Sequence, residues 1–291
     1  RISREVETVS GVKLLDVDPG KATNRTVITF VGEPSQVIEA AFKLIKLASK
    51  LIDMSKHKGE HPRFGATDVC PLVPISGISL EETSKYAQQL GKRVGEELNI
   101  PVYLYENAAQ KPDRVNLANC RSGEYEGLSK KLSDTNWIPD FGPTVFNNHV
   151  ALTGATAISA RDFLVAYNIN LNTTSTRRAN AIAFDIREAG RVKRKGNPII
   201  GQKILDAQGN PARIPGKLKA VKGIGWFIEE YGIAQISYNL TNISVTSMHE
   251  AFYETSKTAA ERGLRVTGSE IIGLIPLKAC LLYTSDAADD L

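Results

Sequence analysis

Two histidines stand four residues apart in His57-Lys58-Gly59-Glu60-His61, and Pro62-Arg63-Phe64-Gly65 follows at once. The spacing matches the HxxEH pattern with which some zinc peptidases set two imidazoles and a carboxylate on one helix face. That chemistry needs the helix. Gly59 weakens one, Pro62 pushes His61 toward extended backbone, and no acidic helix downstream offers a third ligand, so the residues argue for no metal. A second chemistry needs a single ring. His61 can act as general acid or base, because an imidazole titrates near pH ~6.5 and both takes and returns a proton around neutrality. Arg63 can pair with a carboxylate, and Gly65 lets a ligand come close. A plain loop histidine beside a turn explains the same residues, and on their own they leave both readings open.

Other candidates carry the same ambiguity. Asp16 and Asp18 end a strand-like run before Pro19-Gly20, where acidic residues either face a pocket or form the turn. Asn24 and Arg25 open the partner strand at the same mouth. Gly142-Pro143-Thr144-Val145-Phe146-Asn147-Asn148 reads as a ligand loop whose backbone groups meet a heterocycle, or as a solvated loop. His149 sits beside it, while His249 reads as a surface or half-buried helix residue. Lys193, Arg194, Lys195, Lys217, Lys219 and Lys222 are solvated charge that can also attract an anionic tail. There is no glycine-rich phosphate loop and no GxSxG elbow, and Gly223-Ile224-Gly225-Trp226 is wrongly placed for a dinucleotide fingerprint.

The elements that must position these residues are those of an α+β chain. The 291 residues are 42% hydrophobic, enough for a real core. The apolar run VIEAAFKLIKLASKLI is broken by Glu39, Lys43, Lys46 and Lys50, which argues against a membrane span. A net charge of +4 without a basic, aromatic-studded face excludes a nucleic-acid reader and suits a small anionic substrate. Three cysteines without a CxxC pair point to a reducing cytoplasm. The chain opens at Arg1, so a preceding first strand is expected, and Cys280 to Leu291 reads as a non-native, adapter-derived tail.

VKLLDVD (12–18) and NRTVITFVG (24–32) predict a hairpin, and apolar spacing from Pro34 to Met54 predicts a helix with proline in its first turn. TDVCPLVPI (67–75) predicts an edge strand because of its prolines. Ser79 to Glu82 is a capping box for a helix to about Leu98, and Pro101 to Glu106 a short strand. Short helices follow near 114–121 and 125–131, then strands in ALTGATAISA and DFLVAYNINL, the second central because it is nearly all apolar. A helix from Ser175 to Arg191, an exposed excursion from Arg191 to Gly216 with a small hairpin, two strands, a helix from Thr246 to Arg262 and a last strand complete the chain. Strand, strand, helix, strand recurs at both ends. The expected architecture is therefore two related β-β-α-β subdomains, 1–159 and 160–279, with 280–291 as the tail.

The blocks NRTVITFVGEP, LIDMSKHKGEHPRFGATDVCPLVPISG, PVYLYENAA, GEYEGLSKKL, WIPDFGPT, FLVAYNINL, GIGWF and GLIPLKA, in this order, resemble the glutamate formimidoyltransferase family from Val12 to Ala279. The resemblance implies two subdomains whose mixed sheets face each other, helices outside, with folate in a tunnel between them. It implies transfer of a formimidoyl group between N-formimidoyl-L-glutamate and N5 of tetrahydrofolate, a co-substrate, with no metal. His61 is then the catalytic residue. Gly142, Pro143, Thr144, Val145, Phe146, Asn147, Asn148, His149, Val150 and Ala151, with Gly154, form the folate-binding stretch, and Asp18, Arg25 and Arg63 are further substrate-site candidates. The partners implied are small molecules, formimidoylglutamate and folate with or without a polyglutamate tail, in a cytoplasmic homodimer. The segment Asn148 to Gly154 and the long Arg191 to Gly216 excursion depart from the family pattern. Formyl transfer from 5-formyltetrahydrofolate to glutamate uses the same site and is the alternative reaction, and a zinc hydrolase or a non-catalytic folate binder stand outside it.

Overall fold

The computed structural model describes residues 1–21, 24–58, 63–197 and 200–281. They fall into two compact units, parted between Asp162 and Phe163. The architecture is α+β, with several sheets and the helices segregated between them.

In the first unit, β1 (Val12–Gly20) and β2 (Arg25–Gly32) make a two-stranded antiparallel ribbon. Helix α1 (Pro34–Leu51) starts with its proline in the first turn, where the missing N–H is no loss. Strand β3 (Val69–Leu72) is followed by α2 (Leu80–Leu98), whose Ser79 and Glu82 form the expected reciprocal cap. Then come β4 (Val102–Glu106), short helices α3 (Leu117–Cys120), α4 (Leu128–Leu132) and α5 (Asn148–Thr153), and β5 (Thr156–Ala160). The sheet order is β3-β5-β4, all parallel, so β3 lies at an edge and β5 in the centre. A central parallel strand must be apolar on both faces, and every residue of β5 is buried. Phe42, Ile45, Leu90 and Val94 of α1 and α2 pack on one face against Val102, Leu104 and Ile158. Phe64, Leu128, Leu132 and Val150 pack on the other against Tyr103, Tyr105 and Ala157. The run ALTGATAISA is not one strand: its first three residues end α5, and the strand begins only at Thr156.

The largest buried cation of this unit is Arg114, fully excluded from solvent. Its guanidinium pairs with Asp140 Oδ1 at 2.7 Å and donates to the Ile138 carbonyl at 2.6 Å, while Asp140 Oδ2 accepts from the Leu104 N–H at 2.8 Å. Removing one partner of such a pair strands the other charge in a dry site. Asp140→Ala is therefore expected to cost about 3–5 kcal/mol, read as a lower denaturant midpoint with unchanged slope.

The second unit carries β6 (Val165–Leu171), α6 (Thr176–Ile186), the small pair β7 (Arg191–Val192) and β8 (Arg213–Ile214), β9 (Val221–Ile228), β10 (Ile233–Leu240), α7 (Met248–Glu261) and β11 (Val266–Ile272). The antiparallel order is β11-β6-β10-β9, with β6 internal as its apolar run predicts. Val165, Tyr167, Ile169, Ile236 and Tyr238 pack against Ile182, Ala183, Met248 and Ala251 of the helices. Helix α6 stops at Ile186, short of the expected Arg191, because Arg187 turns extended and its guanidinium donates to the carbonyls of Gly190 and Gly223. The excursion holds two isolated bridges beyond its small hairpin, Arg194 with Lys203 and Leu205 with Pro211. Among the described residues, no helix is long and apolar enough to cross a membrane.

Candidate functional site

The residues singled out in the sequence fall mainly in the first unit, around the segment that leads from α1 to β3. His61, with Gly59, Glu60 and Pro62, lies outside the described residues. Its described neighbours are tightly held. From Arg63 to Ala66 the chain runs as a strap beside Thr153 to Ala155: the Ala66 N–H donates to the Thr153 carbonyl (2.8 Å) and the Ala155 N–H to the Phe64 carbonyl (3.0 Å). Gly65 and Gly154 meet there back to back in an antiparallel bridge. A Cβ on Gly154, which stands at φ +66°, would lie 2.5 Å from the Gly65 Cα, and one on Gly65 would lie 2.9 Å from the Ala155 nitrogen. Only two glycines permit this approach. Phe64 anchors the strap, fully buried with its ring 5.6 Å from that of Tyr103.

The strap thus joins one end of the stretch that the sequence marked for a ligand. That stretch is half loop and half helix. Asn147, expected to lie in the loop, caps α5 by accepting from the Val150 N–H at 3.0 Å. His149 is exposed and its Nε2 lies 2.9 Å from the Leu98 carbonyl, so this ring marks the end away from the strap. Thr144, Val145 and Asn148 are exposed as well, and Val150 is buried. Tyr125 braces the segment: its O–H donates to the Ala151 carbonyl (2.5 Å), its ring meets Phe146 edge-on at 6.5 Å, and its N–H donates to the Arg63 carbonyl (2.8 Å).

Arg63, a candidate for holding a substrate carboxylate, is occupied within the protein. Its Nε donates to Glu126 Oε1 at 3.0 Å, its Nη1 donates to the carbonyls of Met54 (2.7 Å) and His57, and the guanidinium stands 4.7 Å over the Tyr125 ring. One side chain therefore gathers both sides of residues 59–62. Partial burial raises the Glu126 carboxyl, but hydrogen bonding and attraction to Arg63 outweigh it and leave the pKa below the ordinary carboxylate range. A carboxylate with a depressed pKa contributes stability above its unfolded value and loses it as pH falls through the folded one. Exchange protection at Ala66 and Tyr125, the rate relative to the unstructured amide at the same pH, is therefore expected to fall as pH drops below about 4, and Glu126→Gln is expected to flatten that dependence.

The hairpin closes on the same place. Asn24, at φ +49°, donates from Nδ2 to the Lys58 carbonyl (2.7 Å) and lies 3.1 Å from His57 Nδ1. Arg25 pairs with Asp68, which also accepts from Arg121 Nη2 at 2.8 Å. Burial, and then the repulsion of Arg121, lowers the Arg25 pKa. Asp18 stands opposite Val27 in the ribbon, on the same face as Arg25 and half-buried. Sequence reasoning missed Asp68, Arg121, Tyr125 and Glu126. Three of them lie in the quoted blocks, Asp68 in GATDVC and Tyr125 and Glu126 in GEYEGL, but nothing in the sequence gave them a role. Among the described residues no group of three His, Cys, Asp or Glu side chains is placed to hold a metal ion.

A two-unit α+β chain with this glycine-tethered strap has clear relatives. The chain belongs to the formiminotransferase domain family: residues 1–161 match its model described as "Formiminotransferase domain, N-terminal subdomain" and residues 166–287 the one described as "Formiminotransferase domain". The chain is 49% identical over 280 residues to the formimidoyltransferase-cyclodeaminase of Mus musculus, covering 96% of this chain and 48% of the relative. It is 42% identical over 283 residues to the glutamate formimidoyltransferase of Thermoplasma acidophilum, covering 97% and 84%. The glutamate formimidoyltransferase of Streptococcus pyogenes serotype M1 is 41% identical over 276 residues, covering 94% and 83%. The chain spans about half the length of the formimidoyltransferase-cyclodeaminases that it matches.

Proposed function

We propose that this protein is a glutamate formimidoyltransferase that moves a formimidoyl group between N-formimidoyl-L-glutamate and N5 of tetrahydrofolate, with His61 as proton shuttle. The observation that carries the reading is the glycine-on-glycine tether. It binds the segment holding His61 to the end of the Gly142 to Gly154 stretch, the two parts that a proton relay and a folate co-substrate require. In this reading N5 attacks the formimidoyl carbon and forms an N–C bond. His61 takes the N5 proton and returns it to the glutamate nitrogen as its bond to that carbon breaks. No metal enters the scheme. Arg63 acts as a positioning residue, spending its donors on Glu126, Met54 and His57, and Asp18 and Arg25 remain the candidates for meeting the charged substrate.

The setting proposed is a reducing cytoplasm, where Cys70 and Cys120 stay free thiols. The two units serve as the two formiminotransferase subdomains, and a homodimer is the proposed assembly. Arg63→Lys keeps the charge but loses the planar fork, and is expected to lower kcat about tenfold with little change in folate affinity. Turnover measured with formimidoylglutamate plus tetrahydrofolate, and separately with 5-formyltetrahydrofolate plus glutamate, tests the reaction itself. Product only in the second assay would replace formimidoyl by formyl transfer, and product in neither would discard the reading.

A further inference from the structure

Helix α5 is short, and its last carbonyls have no partner within the helix. Val150 finds one in the Gly154 N–H at 2.7 Å. The next three are met from elsewhere in unbroken succession: Ala151 by the Tyr125 O–H (2.5 Å), Leu152 by the Met54 N–H (2.9 Å) and Thr153 by the Ala66 N–H (2.8 Å). These donors come from separate stretches of chain, and all of them bear on the histidine segment. Met54 precedes it and Ala66 follows it. Tyr125 holds Arg63 twice, by its N–H to the Arg63 carbonyl (2.8 Å) and by a ring 4.7 Å beneath the guanidinium. Arg63 in turn donates to the carbonyls of Met54 and His57. The last turn of α5 is therefore where both flanks of one segment are fastened.

Two of the three donors are backbone groups, set by the course of the chain, and the third is a side chain. The sheet does not require it, since the pairing of β3 with β5 and the Gly65 to Gly154 bridge already join these parts. Nor does Tyr125 anchor the core. It is half-buried, whereas Phe64, Tyr103 and Tyr105, the rings that fill the core beside it, are shut off from solvent. What the hydroxyl adds is a fixed separation between Arg63 and the end of α5. A phenylalanine would offer the same ring to Arg63 and to Phe146 and leave that separation free. Burial raises the phenol pKa, so near neutrality the group stays a donor.

We infer that Tyr125 is a positioning residue for the transfer reaction, its O–H to the Ala151 carbonyl holding the histidine segment at working distance from the Gly142 to Gly154 stretch. The inference rests on the reaction proposed above. Steady-state and single-turnover kinetics of Tyr125→Phe, Arg63→Lys and the double variant, each in the full chain, test it. Tyr125→Phe is expected to lower kcat about tenfold, part of the roughly 10²-fold that a 1 Å misplacement can cost, with KM for either substrate within about twofold of its starting value. Arg63→Lys acts on the same chain of contacts. The double variant is therefore expected to lie within about threefold of the slower single one, where independent losses would multiply to about 100-fold. The pH profile of kcat should keep its shape at a lower height, because the group that titrates is still there. Rates are compared at a temperature where circular dichroism shows every variant fully folded, which keeps lost stability out of the comparison. A full rate in Tyr125→Phe, a loss confined to KM, or a multiplied loss in the double variant overturns the inference. So does a profile whose alkaline limb disappears with the hydroxyl, which would make the phenol itself a proton carrier. Absence of turnover in the unaltered protein is a separate result that removes the reaction reading and this inference with it.

Discussion

His61→Asn is expected to lower kcat by about 10²- to 10⁴-fold while leaving tetrahydrofolate binding within a few-fold of its original strength. Asparagine keeps a polar side chain of similar reach but cannot carry a proton between two nitrogens near neutrality. The tetrahedral adduct formed by amine attack then collapses back toward starting materials, because the departing nitrogen stays unprotonated. Single-turnover rates and equilibrium titration, measured on the same preparation, separate the two quantities. A full rate in the variant would remove the imidazole from the mechanism. The residual rate should also be flat with pH, since the group that gives the rate its dependence around neutrality is gone.

The second large effect concerns backbone. Gly154→Ala introduces a methyl against the Phe64 carbonyl and the Gly65 Cα at a residue with φ +66°, so strain and overlap act together. Holding alanine at φ +66° and ψ −152°, a region nearly restricted to glycine, costs roughly 1–3 kcal/mol and overpacking roughly 1–3 more, for a total of about 3 kcal/mol. A lower denaturant midpoint and a melting temperature reduced by about 6–12 °C are expected. The damage should be local before it is global. Exchange protection at Ala66 and Ala155 is expected to vanish while the amides of α2 stay protected, and turnover to fall together with that protection. Equal loss of protection in α2 and in the strap would show that the tether has no separate identity in the unit.

Local signals were the legible part of this chain. Ser79 with Glu82 and Pro34 announce helix starts because their physics is confined to one turn, and the apolar run of β6 announces an internal strand for the same reason. A four-residue signal was also there to be used at Asn147, whose side chain caps α5. The run was instead expected to be a loop followed by a strand, because Ala151, Leu152 and Thr153 suit either state and the cap decides between them. Tyr125, Glu126, Asp68 and Arg121 escaped notice for a different reason. Glu126 meets Arg63 across 63 residues and Arg121 meets Asp68 across 53, and no periodicity in the sequence encodes such a meeting. His61 was legible from the residues as a possible acid or base, and the family resemblance gave it a role. The residues that flank its segment are held by Arg63, Gly65 and Asn24, whose contacts only the fold brings about.

The order β3-β5-β4 has a consequence for how the protein is made. The middle strand of the first unit is the last to leave the ribosome, so β3 and β4 wait side by side with an empty lane until residues 156–160 arrive between them. Such distant pairing is slow to close. The Gly65 to Gly154 bridge belongs to that same closing step, so the segment after α1 gains this tether late in biogenesis, and a nascent chain halted before Thr153 would carry that segment with only contacts such as those of Arg63 to Met54, His57 and Glu126 to hold it.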